Sequence, residues 1–220
     1  MAKTFTHEFI KIPELKQVNT DNGRRYVTPD GKHYPSVTTI LSKKAAPWVQ
    51  AWRERVGEEE ANRISRVAAT RGTKIHKLCE NALMNEDEDK SKLSILDQEM
   101  YNKFRPLLDD IDNIKSIEQK MYSDHLRLGG QADCIAEYNG KLSVIDFKTS
   151  RKRKTRSNCY DYFIQCSAYA IMFEERTGIP INQSVIIMAM EESDPAVFTA
   201  TRDEFVPRLI EARDAYEQNL

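Results

Sequence analysis

The sequence contains no apolar run long enough to cross a membrane. Its longest runs, such as "SVIIMAM" (184–190), fall well short of the roughly 20 residues a spanning helix needs, so no membrane partner is expected. The opening "MAKTFTHEFIKIPEL" has no apolar signal core, and its acidic residues argue against a transit peptide; cytoplasmic residence is the expectation. Cysteine is scarce. The four, Cys79, Cys134, Cys159 and Cys166, are irregularly spaced and form no CxxC pair, which favours reduced, partly buried thiols over a zinc or iron–sulfur site. There is no excess charge of either sign: the formal net charge is −1, which as a whole-chain figure gives no hint of nucleic acid. Internal repeats and long low-complexity linkers are missing too.

What is present is a 220-residue chain, 40% hydrophobic and 30% charged, the balance of a soluble globular protein able to bury a core without disulfide or metal staples. One domain covering 1–220 is expected. Extended pieces with a hairpin turn at Asp30-Gly31 come first. A helical region follows from about 36 to 83, broken near Pro47 and near Arg71-Gly72-Thr73. A helix over 94–111 should kink or break at Pro106. Strands are expected at 114–122, 130–138 and 141–148, then a helix over 161–178 stopped by Gly178. Two more strands, "QSVIIMAM" and "AVFTAT", and a helix over 203–218 close the chain. That order predicts an α/β fold, a small mixed sheet flanked by helices. Charge is unevenly placed: "EDED" (86–89) concentrates acid, whereas "RKRKTR" (151–156) carries cations at all but one position. The latter is either a solvated loop or a local grip on a phosphate backbone.

The stretch "VIDFKTS" (144–150) sets Asp146 and Lys148 among residues suited to a dry strand, where charge is costly unless paired or metal-bound. Asn139-Gly140 is a strong type I′ hairpin signal. If those two residues form the turn, Tyr138 pairs with Lys141, Asp133 stands opposite Asp146, and Gln131 stands opposite Lys148. Directly opposed carboxylates, with Cβ atoms about 4.5–5.5 Å apart, need a proton or a cation. Lys148 projects from the same face as Asp146 and supplies one cation. The pair is also a ready oxygen ligand set for Mg²⁺, which the Phe147 carbonyl could extend. Two carboxylates, a divalent cation and a lysine make a kit for phosphodiester hydrolysis. A surface hairpin with an incidental Asp–Lys ion pair is the plainer alternative.

Asp133 followed by Asp146-Phe147-Lys148 resembles the motif of the PD-(D/E)XK nuclease superfamily. The company it keeps sharpens the resemblance toward the RecB-type branch, and within it toward mitochondrial genome maintenance exonucleases and related phage proteins. "RGTKIHKLCE" (71–80) is similar to that branch's RGxxxH helix, Gln165 and Tyr169 in "QCSAY" to its QxxxY motif, and "YPSVTTIL" (34–41) to its N-terminal segment. The resemblance implies a restriction-endonuclease-like core over about 114–200 and a helical arch over about 36–83. It implies Mg²⁺ or Mn²⁺ held by His76, Asp133, Asp146 and the Phe147 carbonyl. Glu118 matches an acid that some members use for a second metal. Lys148, Gln165 and Tyr169 would join the aspartates in catalysis. His76 and Glu80 share a helix face, so Glu80 either supports the site or faces solvent. Many relatives in this branch bind an iron–sulfur cluster through one cysteine before the core and three after it. This chain departs from that spacing, so no cluster is expected.

The resulting expectation is a metal-dependent DNA exonuclease acting on free single-stranded ends in recombination, repair or degradation, in a bacterial or phage-infected cell. A single-strand annealing or replication protein is the partner it suggests. DNA contacts are expected from Ser36, Arg71, Lys74, Arg151, Lys152, Arg153 and Lys154, with bases stacking on Trp48 or Trp52. Ser36 has a helix N-cap as its competing role. A structure- or sequence-specific endonuclease and a non-catalytic nucleic-acid-binding module are the alternatives.

Overall fold

A computed structural model describes residues 3–218. A small antiparallel sheet comes first: β1 (Lys16–Thr20), β2 (Gly23–Val27) and β3 (His33–Pro35), with Gly31 at φ 83 in the turn between the last two. The hairpin expected at Asp30-Gly31 is therefore present. Two helices follow, α1 (Val37–Val56) and α2 (Glu58–Leu83). Here the expected breaks move. Both helices run through the suspected sites, Pro47 and Arg71-Gly72-Thr73, and the chain instead breaks at Gly57, φ 87. Glycine tolerates that angle, and Glu58, Glu59 and Glu60 then complement the amino-terminal dipole of α2. Gly72 lies inside α2 facing the sheet, where a β-carbon would make an ordinary contact of 3.8 Å with Thr149.

The main sheet has the order β4 (Ile111–Ser123), β5 (Leu128–Tyr138), β6 (Lys141–Ser150), β7 (Gln183–Met190), β8 (Ala196–Thr201). All neighbours are antiparallel except β6 and β7, which run parallel because α4 (Tyr160–Thr177) carries the chain back between them. α3 (Ile95–Phe104) passes into a 3₁₀ turn at Pro106, as expected, before β4. α4 ends at Gly178, φ 74, as its sequence requires, and α5 (Arg202–Glu217) closes the described chain.

Helices cover both faces of this sheet. One core packs Val144 and Ile186 against Phe163, Ile164 and Phe173 of α4 and Leu209 of α5. The other packs Ile145, Phe147, Val185 and Ile187 against Ile75 and Leu83 of α2 and Phe104 of α3. A strand buried on both faces reads as a continuous apolar run, which explains "SVIIMAM". No helix among the described residues is long and apolar enough to cross a membrane.

Candidate active site

The Asn139-Gly140 hairpin has the expected register, with Tyr138 opposite Lys141 and each pair in step out to Cys134 opposite Ile145. There the ladder ends. At the next position the Asp133 side chain replaces the strand: its Oδ2 accepts the Phe147 amide at 2.9 Å. Asp133 and Asp146 thus flank a gap between β5 and β6 instead of forming a backbone pair. The expected Gln131–Lys148 partnership is not made, because the β5–β6 ladder has already ended at Cys134 and Ile145; Gln131 keeps only its partner Lys120 on β4. The Phe147 amide points into the gap. In an extended strand the carbonyl of the same residue points to the same side, so it faces the gap as well.

Asp146 is 1% exposed, and Lys148 Nζ straddles it, 2.7 Å from Oδ1 and 2.6 Å from Oδ2. Only the Oδ1 contact has hydrogen-bond geometry; Oδ2 is buried without a hydrogen-bond partner. Burial pushes the Asp146 carboxyl up, Lys148 pulls it back, and Asp133 adds to the rise. Burial also works against charge on Lys148, but the carboxylates of Asp146 and Asp133 outweigh it and hold the ammonium above the ordinary lysine range. α4 closes this side. Gln165 Nε2 lies 3.3 Å from Asp146 Oδ1 and 3.1 Å from the Tyr169 hydroxyl, and Tyr169 is 2% exposed. The edge of the Tyr169 ring abuts Gly130, where a β-carbon would come within 2.2 Å of Cε1.

From the opposite face α2 brings His76, whose Nδ1 lies 3.5 Å from Asp133 Oδ2. Glu118 of β4 completes a cluster in which one ligand atom from each of His76, Glu118 and Asp133 lies within 4.8 Å of the others. Glu118 reaches it by an unusual route. The register of β4 on β5 sets it opposite Asp133, but its φ of 50 takes it out of the ladder. A left-handed non-glycine residue costs about 1–2 kcal/mol, and such strain concentrates at functional sites. Burial, then the charge of Asp133, raises the Glu118 carboxyl to about 7. A cleft of about 400 Å³ lined by Gly72, Thr73, His76, Lys77, Glu80 and Glu118 opens beside the cluster.

The donor chemistry suits a hard divalent cation with some tolerance for nitrogen. One imidazole and two carboxylates converge, a third carboxylate holds an oxygen without a hydrogen bond, and a backbone carbonyl faces the same gap. Among the expected ligands, His76, Asp133 and Glu118 are gathered within reach of one ion, whereas the Asp146 carboxylate is engaged by Lys148.

The family model described as the PD-(D/E)XK nuclease superfamily matches residues 40–218. The chain belongs to that superfamily. It is 30% identical over 173 residues to mitochondrial genome maintenance exonuclease 1 of Xenopus tropicalis, across 74% of this chain and 50% of that protein. The Mus musculus and Homo sapiens proteins of the same name are 28% and 26% identical, each across 74% of this chain and 51% of their own. The chain therefore spans about half the length of the curated relatives it matches. A mitochondrial name on vertebrate relatives gives the bacterial or phage setting no support. A solved chain from Eubacterium rectale aligns at 12% identity over 67% of this chain and 68% of its own, with a TM-score of 0.43, too low to transfer topology.

The residues expected to touch nucleic acid are more scattered than the PD-(D/E)XK core. Ser36 is 1% exposed, and its hydroxyl caps α1 by accepting the Thr39 amide at 3.0 Å. Arg71 is already held by Asp97 and Glu191, each at 2.5 Å. Lys74 Nζ donates to the Lys92 carbonyl at 2.5 Å, and Arg151 pairs with Glu192 at 2.9 Å. Lys152 and Arg153 are exposed and Lys154 is half-buried. Trp48 is 82% exposed, while Trp52 is half-buried. All four cysteines are free and buried, deeper than expected. Glu80 pairs with Lys77 at the cleft at 3.0 Å.

Tyr162 went unnoticed in the sequence. Lys148 Nζ sits 5.0 Å from its ring centroid, a cation–π contact that helps hold the ammonium over Asp146. Its spacing from Gln165 and Tyr169 puts all three on one helix face, and that pattern was the available signal.

Proposed function

We propose that this chain is a divalent-metal-dependent DNA exonuclease acting on free ends of single-stranded DNA, in recombination, repair or degradation. The observation that carries the reading is the convergence of His76, Glu118 and Asp133 beside a buried Asp146–Lys148 pair. His76, Glu118, Asp133 and the Phe147 carbonyl would hold Mg²⁺ or Mn²⁺, and Asp146 would join through Oδ2, the oxygen that Lys148 contacts as an ion pair without a hydrogen bond. When bound, the ion would polarise the phosphate and favour ionisation of a water. Lys148, fixed by Asp146 and Tyr162, keeps its proton, so it acts as a charge that orients the attacking water and offsets the negative charge building on the phosphate. Gln165 spans Asp146 and Tyr169 and holds that carboxylate in place. Asp133, by accepting the Phe147 amide, sets the gap in which the scissile group would lie.

DNA contact belongs to the exposed parts of the surface. Lys152, Arg153 and Lys154 follow directly from the strand that carries Asp146 and Lys148, and a backbone leaving the site would meet them. Trp48 offers a face for base stacking. Support for the exonuclease class comes from relatives bearing that name over the matched region.

The test is digestion of end-labelled linear and sealed circular single-stranded DNA with Mg²⁺, Mn²⁺ or EDTA, alongside Asp146→Asn and Lys148→Ala. Metal-dependent loss of the linear strand alone, abolished in both variants, is the expected result. Cutting of the circle would replace the exonuclease with an endonuclease built on the same site.

A further inference from the structure

Among the functional side chains, Glu118 is the one whose backbone departs from its element. In a regular strand its carbonyl would join the β4–β5 ladder, yet the left-handed turn at φ 50 swings the peptide out. A displaced carbonyl needs another donor. Gln131 supplies it: the side-chain Nε2 lies 3.2 Å from the Glu118 carbonyl oxygen and 2.6 Å from Glu118 Oε2. One amide group therefore ties down both the turned backbone and one carboxylate oxygen, two positions before Asp133 on the same strand.

We propose that Gln131 is a positioning residue that locks Glu118 into the metal site and limits it to coordination through a single oxygen. With Oε2 tethered, Oε1 is the oxygen left fully available to an ion held with His76 and Asp133. A carboxylate so restrained suits a small cation with octahedral demands, such as Mg²⁺ or Mn²⁺. It disfavours Ca²⁺, which draws on flexible, often bidentate carboxylates. Groups that orient a ligand in this way typically alter metal affinity about 10–100-fold when removed. The inference rests on the metal-site reading above and goes beyond it by assigning ion selectivity to a residue that would not touch the ion.

Calorimetric titration of the full chain with Mn²⁺ and with Ca²⁺ tests it, using Gln131→Leu, the near-isosteric Gln131→Met, Glu118→Gln and the Gln131→Leu/Glu118→Gln double variant. Each Gln131 variant should weaken Mn²⁺ binding about tenfold and Ca²⁺ binding less. On the Glu118→Gln background the Gln131 change should add nothing further. An unchanged Mn²⁺ affinity, an equal loss for both ions, or the full loss repeated without Glu118 would each overturn the tether while leaving the metal site standing. If the unaltered protein takes up no Mn²⁺, the metal-site reading itself falls. A check that needs no variant to fold is Mg²⁺ titration of the wild-type chain followed by NMR of glutamine side-chain amides. The Gln131 pair should shift on saturation, and a Gln131 pair that stays fixed would overturn the proposal.

Discussion

Lys148 Nζ sits within 2.7 Å of both carboxylate oxygens of Asp146, inside a wall made by Tyr162 and Gln165. Removing one partner of such a pair strands the other. Lys148→Met in metal-free protein should cost about 3 kcal/mol at pH 8 and less at pH 5.5. Without the lysine the folded-state pKa of Asp146 rises further above its unfolded value. The folded state then retains a proton that the unfolded chain has released, and stability falls as pH climbs through that interval. Urea midpoints in EDTA at the two pH values measure this; equal losses at both would mean Asp146 is solvated.

Arg71 joins α2 to α3 and to the end of β7 through Asp97 and Glu191, with only 11% of its side chain exposed. Arg71→Ala leaves two half-buried acids unpaired and should destabilise the fold by about 3 kcal/mol. Arg71→Lys should recover only part of that, since a point charge cannot serve two carboxylates in fixed directions. Thermal melting ranks the variants. Arg71→Ala, assayed below its melting temperature, should also leave the salt dependence of DNA binding unchanged, whereas loss of a phosphate contact would lower the slope by about 0.7.

At Gly130 an added methyl group would meet the Tyr169 ring at 2.2 Å. Gly130→Ala should therefore displace Tyr169, loosen its bond to Gln165 and cost about 1–3 kcal/mol through overpacking. If its melting temperature matched the wild type, α4 would have to sit farther from β5 than described.

The metal-free protein should respond to pH through Glu118. Its carboxyl is raised to about 7 by burial and by Asp133, so the folded state keeps a proton that the unfolded chain gives up near pH 4.5. This share of stability is present below the unfolded value and is lost as pH rises toward 7. Glu118→Gln should flatten the decline in denaturation midpoint between pH 4.5 and 8, and Mn²⁺ should reverse it in the unaltered protein. A parallel decline in the variant would assign the effect to other groups.

The basic run gives an electrostatic prediction. Replacing Lys152, Arg153 and Lys154 together with serine should lower the slope of log affinity against log salt by about 2 for single-stranded DNA, measured by fluorescence anisotropy with EDTA present. No change in slope would make this run an ordinary solvated loop.

Where local chemistry decides structure, the sequence was legible. Asn139-Gly140 requires one turn and hence one register, which held as far as Cys134 and Ile145. Gly178 stopped α4, and Pro106 ended α3. Gly72 does not break its helix, because a single glycine inside a long helix costs only about 1 kcal/mol and packing of α2 on the sheet outweighs it. Gly57, followed by three glutamates, carried the real break in plain view. The parting of β5 and β6 was beyond reach, since no residue type signals the end of a ladder; the Asp133 side chain takes the Phe147 amide only once the strands are in place. The left-handed turn at Glu118 was likewise hidden, as glutamate has no preference for it.

Because α2 runs without interruption from Glu58 through His76, its outer tip and the imidazole belong to one stiff rod, about 27 Å apart at 1.5 Å per residue. Gly57 marks its far end. A displacement of that end would be carried to His76 along a continuous chain of peptide hydrogen bonds, and one arm of the His76, Glu118 and Asp133 cluster would move with it.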